Sequence, residues 1–364
     1  MKVLSVVGAR PQFVKLSPVH RALQAAGHDH VIVHTGQHYA PELSSGLFAD
    51  LEIPEPDTNL GIGSASHAVQ TGSMIIGLES VFEDAHPDWV LVYGDTNSTI
   101  AASLTAVKMH LPIAHLEAGL RSGNRVMPEE HNRVVTDHLA DLLLAPTTTA
   151  MRHLAAEGLA KRSKNVGDVM TDVCYRVRDF VASHPPTMPD AWTPAPNMVL
   201  ATIHRAENTD DPSRLEFILN GLNHLGLPVL LVAHPRLVAR STTFGLPLSR
   251  DAVTPIASMN YTQMINALAH ARGVVTDSGG LQKEAYLMRT ACITVRTETE
   301  WPETLSDNWN VVDPNLQVDV AKHFSRDRAV RTSTPFGDGH AAVRVTHALE
   351  HCHARADERV RYFT

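Results

Sequence analysis

Two short apolar runs, Trp89–Tyr93 and Leu111–Leu116, each end in an acid and flank a segment, Thr99–His110, that reads as a helix. Runs of this length and β-branched content suit strands buried on both faces of a parallel sheet. A right-handed strand–helix–strand unit puts both strand carboxyl ends on one edge, and open α/β sheets bind ligands at that edge. Asp95, after Gly94, and Glu117, before Ala118-Gly119, therefore reach one rim, and Pro128-Glu129-Glu130 adds a third acid position. Three acid positions on one rim point to proton chemistry more than to a solvated face.

The same alternation runs along the chain. Val3–Val7 is a first strand, followed by a helix over Gln12–Ala26 with Phe13, Leu16, Val19 and Leu23 as its buried stripe. His30–His34 is a strand and Ser66–Phe82 a helix; Asn132–Ala140 is a helix, Leu142–Ala145 a strand, and Thr147–Glu157 and Thr171–Val181 further helices. Five prolines between Pro185 and Pro196 cannot lie in a helix or a central strand, and they mark a boundary. The pattern then restarts with strands at Met198–Thr202, Val229–Ala233, Gly273–Thr276 and Cys292–Val295, and helices at Asn260–Ala269 and Gln282–Leu287. The expected fold is α/β, with one doubly wound parallel sheet in residues 1–182, a second in 197–340, and their carboxyl rims facing across a cleft.

Composition limits the function classes. A chain of 364 residues with 43% hydrophobic and 19% charged residues suits a two-domain soluble globular protein. A net charge of −8 argues against nucleic acid as a partner. Three distant cysteines, Cys174, Cys292 and Cys352, are expected to be reduced, which suits the cytoplasm. The N-terminus enters a strand at once, with no signal-peptide pattern. No apolar run approaches the roughly 18–20 residues of a membrane helix, so no membrane partner is expected.

Arg10 and Lys15 fall in the first strand-to-helix loop and first helical turn, where the helix dipole favours anions and opposes cations. A bound anion is a reason to keep them there. In the second half, Asp277-Ser278-Gly279-Gly280 sits between strand and helix, so the Ser278 hydroxyl and the Gly279 and Gly280 amides could ring a diphosphate. Glu284, one turn on, could accept from a ribose diol. An ordinary Asx turn would use the same residues. Arg205, His234 and Arg236, closing neighbouring strands on the same rim, favour the anion site.

Arg10-Pro11 with Lys15, Gly94-Asp95-Thr96, His115–Arg121, Pro128-Glu129-Glu130 with Asn132-Arg133, His204–Asn208, Asp277–Gly280 with Glu284, and Thr299–Glu303 occur in an order that resembles the non-hydrolysing UDP-N-acetylglucosamine 2-epimerases. The match continues to Phe336-Gly337-Asp338-Gly339. The resemblance implies a GT-B fold of two Rossmann-like domains, a homodimer, and a last helix near 341–358 that crosses back onto the first domain. It implies interconversion of UDP-GlcNAc and UDP-ManNAc by anti elimination of UDP to 2-acetamidoglucal, followed by re-addition. It assigns Asp95, Glu117 and Glu129 to proton transfer; closely placed carboxylates do not all ionise easily, so one of them is expected to be held protonated. Arg10, Lys15 and His204 are placed around the sugar and diphosphate. Arg205, His234, Arg236, Tyr261, Ser278, Gly279, Gly280, Glu284 and Arg296 are placed around the UDP portion. No metal and no NAD or other cofactor is expected. A hydrolysing epimerase releasing ManNAc, or a GT-B UDP-sugar glycosyltransferase, would share much of this pattern.

The sequence departs from the family's better-known bacterial pattern in a shorter loop before Pro128, in Trp301 where many members have arginine, and at Ser64-Ala65 and Ala40. The last two positions belong to the pocket for an activating second UDP-GlcNAc, so independence from that activator is expected.

Overall fold

The apolar runs become strands because each can be covered on both faces. All five residues of Trp89–Tyr93 are buried, at about 1.5–3 kcal/mol for each large side chain removed from water. The structure, a computed structural model, describes residues 1–37, 55–190, 192, 197–325 and 333–359. Ala40 and positions 191 and 193–196 of the proline-rich segment lie outside the described residues, as do the side chains of Arg10, Asp307 and 353–359. The chain divides into two compact units, Met1–Val173 with Thr334–Thr364, and Cys174–Ser333.

In the first unit the strands are β1 (Lys2–Val7), β2 (Asp29–His34), β3 (Thr58–Asn59), β4 (Trp89–Tyr93), β5 (Ile113–Leu116), β6 (Leu142–Ala145) and β7 (Ser163–Asn165). They form one sheet in the order β3-β2-β1-β4-β5-β6-β7, and every pair is parallel. Its helices are α1 (Arg10–Ala25), α2 (His67–Ala85), α3 (Asn97–Lys108), α4 (Pro128–Leu139) and α5 (Thr148–Ala156); the chain leaves the unit within α6 (Val169–Ser183). Leu4, Val6, Val90 and Val92 pack with Met74, Leu78 and Phe82 in its core.

The second unit contains β8 (Val199–Thr202), α7 (Ala206–Thr209), α8 (Pro212–Asn223), β9 (Val229–Val232), α9 (Pro235–Phe244), β10 (Val253–Ile256), α10 (Tyr261–His270), β11 (Gly273–Thr276), α11 (Gly279–Leu287), β12 (Ala291–Thr294), β13 (Asn310–Val312) and α12 (Val320–Phe324). Its sheet runs β10-β9-β8-β11-β12-β13, again all parallel. The closing helix α13 (Ala341–Arg359) packs on α1 of the first unit. Its first amides are held by Asp172, which accepts from Ala341 N at 2.9 Å and Ala342 N at 2.8 Å.

Strand order reverses beside β1 and β4 in one sheet and beside β8 and β11 in the other. These are the switch points at which a crevice opens outside the strand carboxyl ends. The loops there carry Gly8, Gly94-Asp95, His204-Arg205 and Asp277-Ser278.

Five helices begin earlier than the apolar periodicity indicates, α1 and α6 by two residues each and three others for a clear local reason. Thr96 caps α3, accepting from Thr99 N, so α3 starts at Asn97. Pro128 is the first residue of α4, which puts Glu129 and Glu130 in a first helical turn instead of a loop. Ser278 caps α11, which makes Gly279 and Gly280 its first two residues. Edge strands β7, β10 and β13 go unread in sequence because they are short, polar or interrupted, as at Pro255, and exist through pairing with a neighbour.

Candidate active site

In the first unit Gly8 allows the loops to converge. A Cβ there would lie 2.1 Å from Thr35 Oγ1 and 2.2 Å from Ser98 Oγ, so no larger residue fits. Gln12 ties two loops together: its Oε1 accepts from Gly8 N (2.8 Å) and Ala9 N (3.0 Å), while its Nε2 donates to Tyr93 O (2.7 Å) and Thr96 Oγ1 (3.0 Å). Arg10 opens α1 and Lys15 lies in its second turn.

Lys15 is buried and its ammonium donates to Glu117. Burial pulls the basicity of Lys15 down, but Glu117, with Asp168 and Asp95, more than offsets this and leaves it above the ordinary lysine value. Glu117 directly follows β5 with φ 73°, in the left-handed region that side-chain-bearing residues rarely adopt. Gly94 makes the matching turn after β4 at φ 60°, and a Cβ there would meet Glu117 Oε2 at 3.0 Å.

Asp95 is paired with Arg133, and its carbonyl accepts from Asn132 Nδ2 at 2.9 Å. The sequence leads to an expectation of crowded, mutually repelling acids. The structure pairs Glu117 with a lysine and Asp95 with an arginine. The two glutamates of Pro128-Glu129-Glu130 also separate. Glu130 is buried and accepts from Ser122 N (3.0 Å), Ser122 Oγ (2.9 Å), Gly123 N (2.9 Å) and Arg133 Nη1 (3.0 Å). Burial pushes the Glu130 carboxyl up, but these donors hold it below the usual range. Glu129 is half-buried and makes no hydrogen bond or ion pair with another described side chain.

Beneath this rim lies a brace that sequence reading missed. His115 and Asp137 are fully buried and meet at 2.7 Å; the other nitrogen of the ring lies 2.7 Å from Gly94 O. Asp137 also accepts from Gly119 N (3.1 Å) and pairs with Arg121 (2.8 Å). The backbone on either side of Asp95 and Glu117 is thereby fixed. The available signal was His115, a polar residue inside an apolar run, which needs partners when buried.

In the second unit Asp277 is fully buried and serves the loop opposite. It accepts from His204 N (3.0 Å), Arg205 N (2.9 Å) and Asn208 Nδ2 (3.0 Å). His204 and His234 face each other with ring centroids 5.0 Å apart. His234 Nδ1 accepts from Arg236 N at 3.2 Å, and burial, His204 and Arg236 hold its basicity below that of an ordinary histidine. Ser278 Oγ accepts from Leu281 N (3.4 Å), while the Gly279 and Gly280 amides have no acceptor among the described residues. Glu284 is buried in α11, beside Tyr261, the first residue of α10. Burial raises the Glu284 carboxyl above its ordinary value, while Lys283 and Tyr261 lower it in part.

The rim arginines are not bare. Glu300 takes Arg205 Nη2 at 3.0 Å and Arg296 Nη1 at 2.6 Å. Burial raises the Glu300 carboxyl, but its own amide and both arginines bring it below the usual range. Arg236 is drawn to Asp210, with both oxygens at 2.6 Å. Among the described residues no cluster of His, Cys, Asp or Glu could hold a metal, and no helix is long and apolar enough to cross a membrane.

Comparison with known proteins gives this geometry a context. The model of the family described as UDP-N-acetylglucosamine 2-epimerase matches residues 21–350. A UDP-N-acetylglucosamine 2-epimerase homolog of Methanococcus maripaludis is 41% identical over 355 residues, 96% of this chain and 99% of its own. A UDP-2,3-diacetamido-2,3-dideoxy-D-glucuronate 2-epimerase of Pseudomonas aeruginosa is 44% identical over 359 residues, with the same 96% and 99% coverage. The solved Methanocaldococcus jannaschii UDP-GlcNAc 2-epimerase, in complex with UDP-GlcNAc and UDP, matches at TM-score 0.82 and 35% identity, covering 96% of this chain and 100% of that one. The two parallel-sheet units are thus those of a GT-B fold.

Proposed function

Because this chain belongs to the UDP-N-acetylglucosamine 2-epimerase family, we propose that it inverts C2 of a UDP-N-acetylhexosamine, interconverting UDP-GlcNAc and UDP-ManNAc without hydrolysis. The observation that carries the reading is the pair of carboxylates after adjacent strands, Asp95 and Glu117, each matched to its own buried cation.

The C2–H bond lies next to no carbonyl and is a poor acid. Its loss needs a placed base together with departure of the diphosphate from C1. The proton leaves C2, the C1–O bond breaks, and the electron pair becomes the C1–C2 double bond of 2-acetamidoglucal. Re-addition of UDP to C1, with a proton delivered to the other face of C2, gives the epimer. Asp95, Glu117 and Glu129 serve as base and conjugate acid. The left-handed turn at Glu117 carries its carboxylate to the rim, and Lys15 pairs with it. Arg10 and His204 balance the charge that grows on the diphosphate, while the Ser278 hydroxyl and the amides of Gly279 and Gly280 hold it. Glu284, beside Tyr261, takes the ribose, with Arg205, His234, Arg236 and Arg296 around the nucleotide. The sequence of steps is redox-neutral, so it needs no NAD.

In this reading the first unit supplies the proton chemistry and the second the nucleotide contacts. The enzyme works in the cytoplasm, consistent with the free thiols of Cys174 and Cys292. It works as a homodimer, for which the exposed Val69 and Ile76 of α2 offer an apolar face. The Pseudomonas aeruginosa relative names a second candidate, a UDP-diacetamido sugar acid.

The test is NMR of each UDP-sugar with the protein in deuterated water. The expected result is deuterium at C2 together with appearance of the epimer. No exchange with either sugar would refute the reading, and free ManNAc with UDP would assign a hydrolysing enzyme.

A further inference from the structure

We infer that Glu300 is a displaceable internal anion of the nucleotide site, holding the place of a phosphate until a diphosphate exchanges for it. The inference rests on the reading above that the second unit binds UDP.

Sequence places Glu300 four residues after Arg296, in the loop that follows β12. The fold then sets its carboxylate between two guanidinium groups that follow different strands, with Arg205 Nη2 on one oxygen at 3.0 Å and Arg296 Nη1 on the other at 2.6 Å. The carboxylate also lies against the start of α11. A Cβ built on Gly279 would stand 3.5 Å from Glu300 Oε2 and 3.7 Å from Arg205 Nη2. Gly279 is where α11 presents amides with no acceptor among the described residues. One carboxylate therefore sits where two cations and a helix N-terminus converge, which is the setting that recognises phosphate.

Exposure makes exchange possible. The Glu300 side chain is 27% exposed and that of Arg205 29%, whereas Arg296 is 7% exposed and also pairs with Glu207 at 3.5 Å. Arg296 is thus a fixed post, with Glu300 reachable from solvent beside it. A diphosphate brings more charge and more oxygens than a carboxylate. It can satisfy both arginines and the Gly279 and Gly280 amides at once, which the two oxygens of Glu300 do not. A neutral or weakly charged ligand cannot compensate for the lost ion pairs. Glu300 therefore selects for a diphosphate and keeps the arginines ordered between turnovers.

The test is calorimetry of UDP, uridine and pyrophosphate with wild type, Glu300→Gln and the nearby control Glu303→Gln, with far-UV dichroism to confirm folding. Glutamine keeps the shape but not the charge. UDP and pyrophosphate should bind Glu300→Gln on the order of tenfold more tightly than wild type, the scale of a partly exposed charge pair removed from competition. Uridine affinity should not change, and Glu303→Gln should bind like wild type. Unchanged or weaker UDP binding by folded Glu300→Gln would overturn the inference. If wild type itself fails to bind UDP, the reading beneath it falls first.

Discussion

Asp277→Ala tests whether the second rim is built as described. The buried carboxylate accepts from two backbone amides, His204 N and Arg205 N, and from Asn208 Nδ2. Alanine removes every acceptor. Asn208 keeps its bond to Val295 O at 2.8 Å, so the two backbone amides bear most of the loss. A buried donor left unpaired costs about 1–3 kcal/mol. Two such donors cost about 2–6 kcal/mol, less what is regained when a buried charge no longer has to be desolvated. A net loss of about 3 kcal/mol is expected, a large share of the roughly 5–15 kcal/mol that holds a domain folded.

Asp277→Asn separates acceptor geometry from charge. Its oxygen can take the position that serves all three donors, so it should lose only about 1–2 kcal/mol, the difference between charged and neutral hydrogen bonds. Urea unfolding followed by dichroism gives both numbers, and UDP calorimetry shows whether His204 and Arg205 have been released. Equal destabilisation by Asn and Ala, or an Ala variant within about 0.5 kcal/mol of wild type, would refute the brace.

The carboxamide variants of Asp95, Glu117 and Glu129 should each lose roughly 10²–10⁴-fold in kcat while UDP affinity changes little, and near-full turnover by Glu117→Gln would remove it from the chemistry. Glu284→Gln should weaken UDP by about 1.5–3 kcal/mol in calorimetry through lost charge-assisted ribose contacts. Stability should fall in acid through His30, whose ring meets Ser5 and His20 at 2.8 Å each, with Ser5 also 2.9 Å from Tyr93. Burial, aided by His20, pushes its basicity down to about 3 from an ordinary 6.5. Between those values the unfolded chain carries the extra proton, so the contribution is whole above pH 6.5 and shrinks as pH falls, by about 1.4 kcal/mol per pH unit. Urea midpoints from pH 7 to 4.5 should show that slope reduced in His30→Gln.

Much of this molecule is legible in its sequence because much of it is local. Apolar runs of four to six residues define the central strands, and residues that directly follow a strand must lie on its carboxyl rim. Asp95, Glu117, His204 and Asp277 could be placed there without coordinates. Element starts were read late where a cap or a proline outweighs periodicity, as at Thr96, Pro128 and Ser278.

Pairing between distant residues was decided by the tertiary structure alone. Lys15 and Glu117 are 102 positions apart and Arg205 and Glu300 are 95 apart, and no local pattern connects them. Adjacent Glu129 and Glu130 are alike in sequence; the return of the 122–123 loop gives Glu130 three of its four donors and gives Glu129 none. Asp277, which reads as part of a phosphate loop, is spent on holding the neighbouring strand end. Chain connectivity sets which rim a side chain reaches. What its charge does there depends on partners brought by other strands, because electrostatic and hydrogen-bond energies are set by distance in space and by burial.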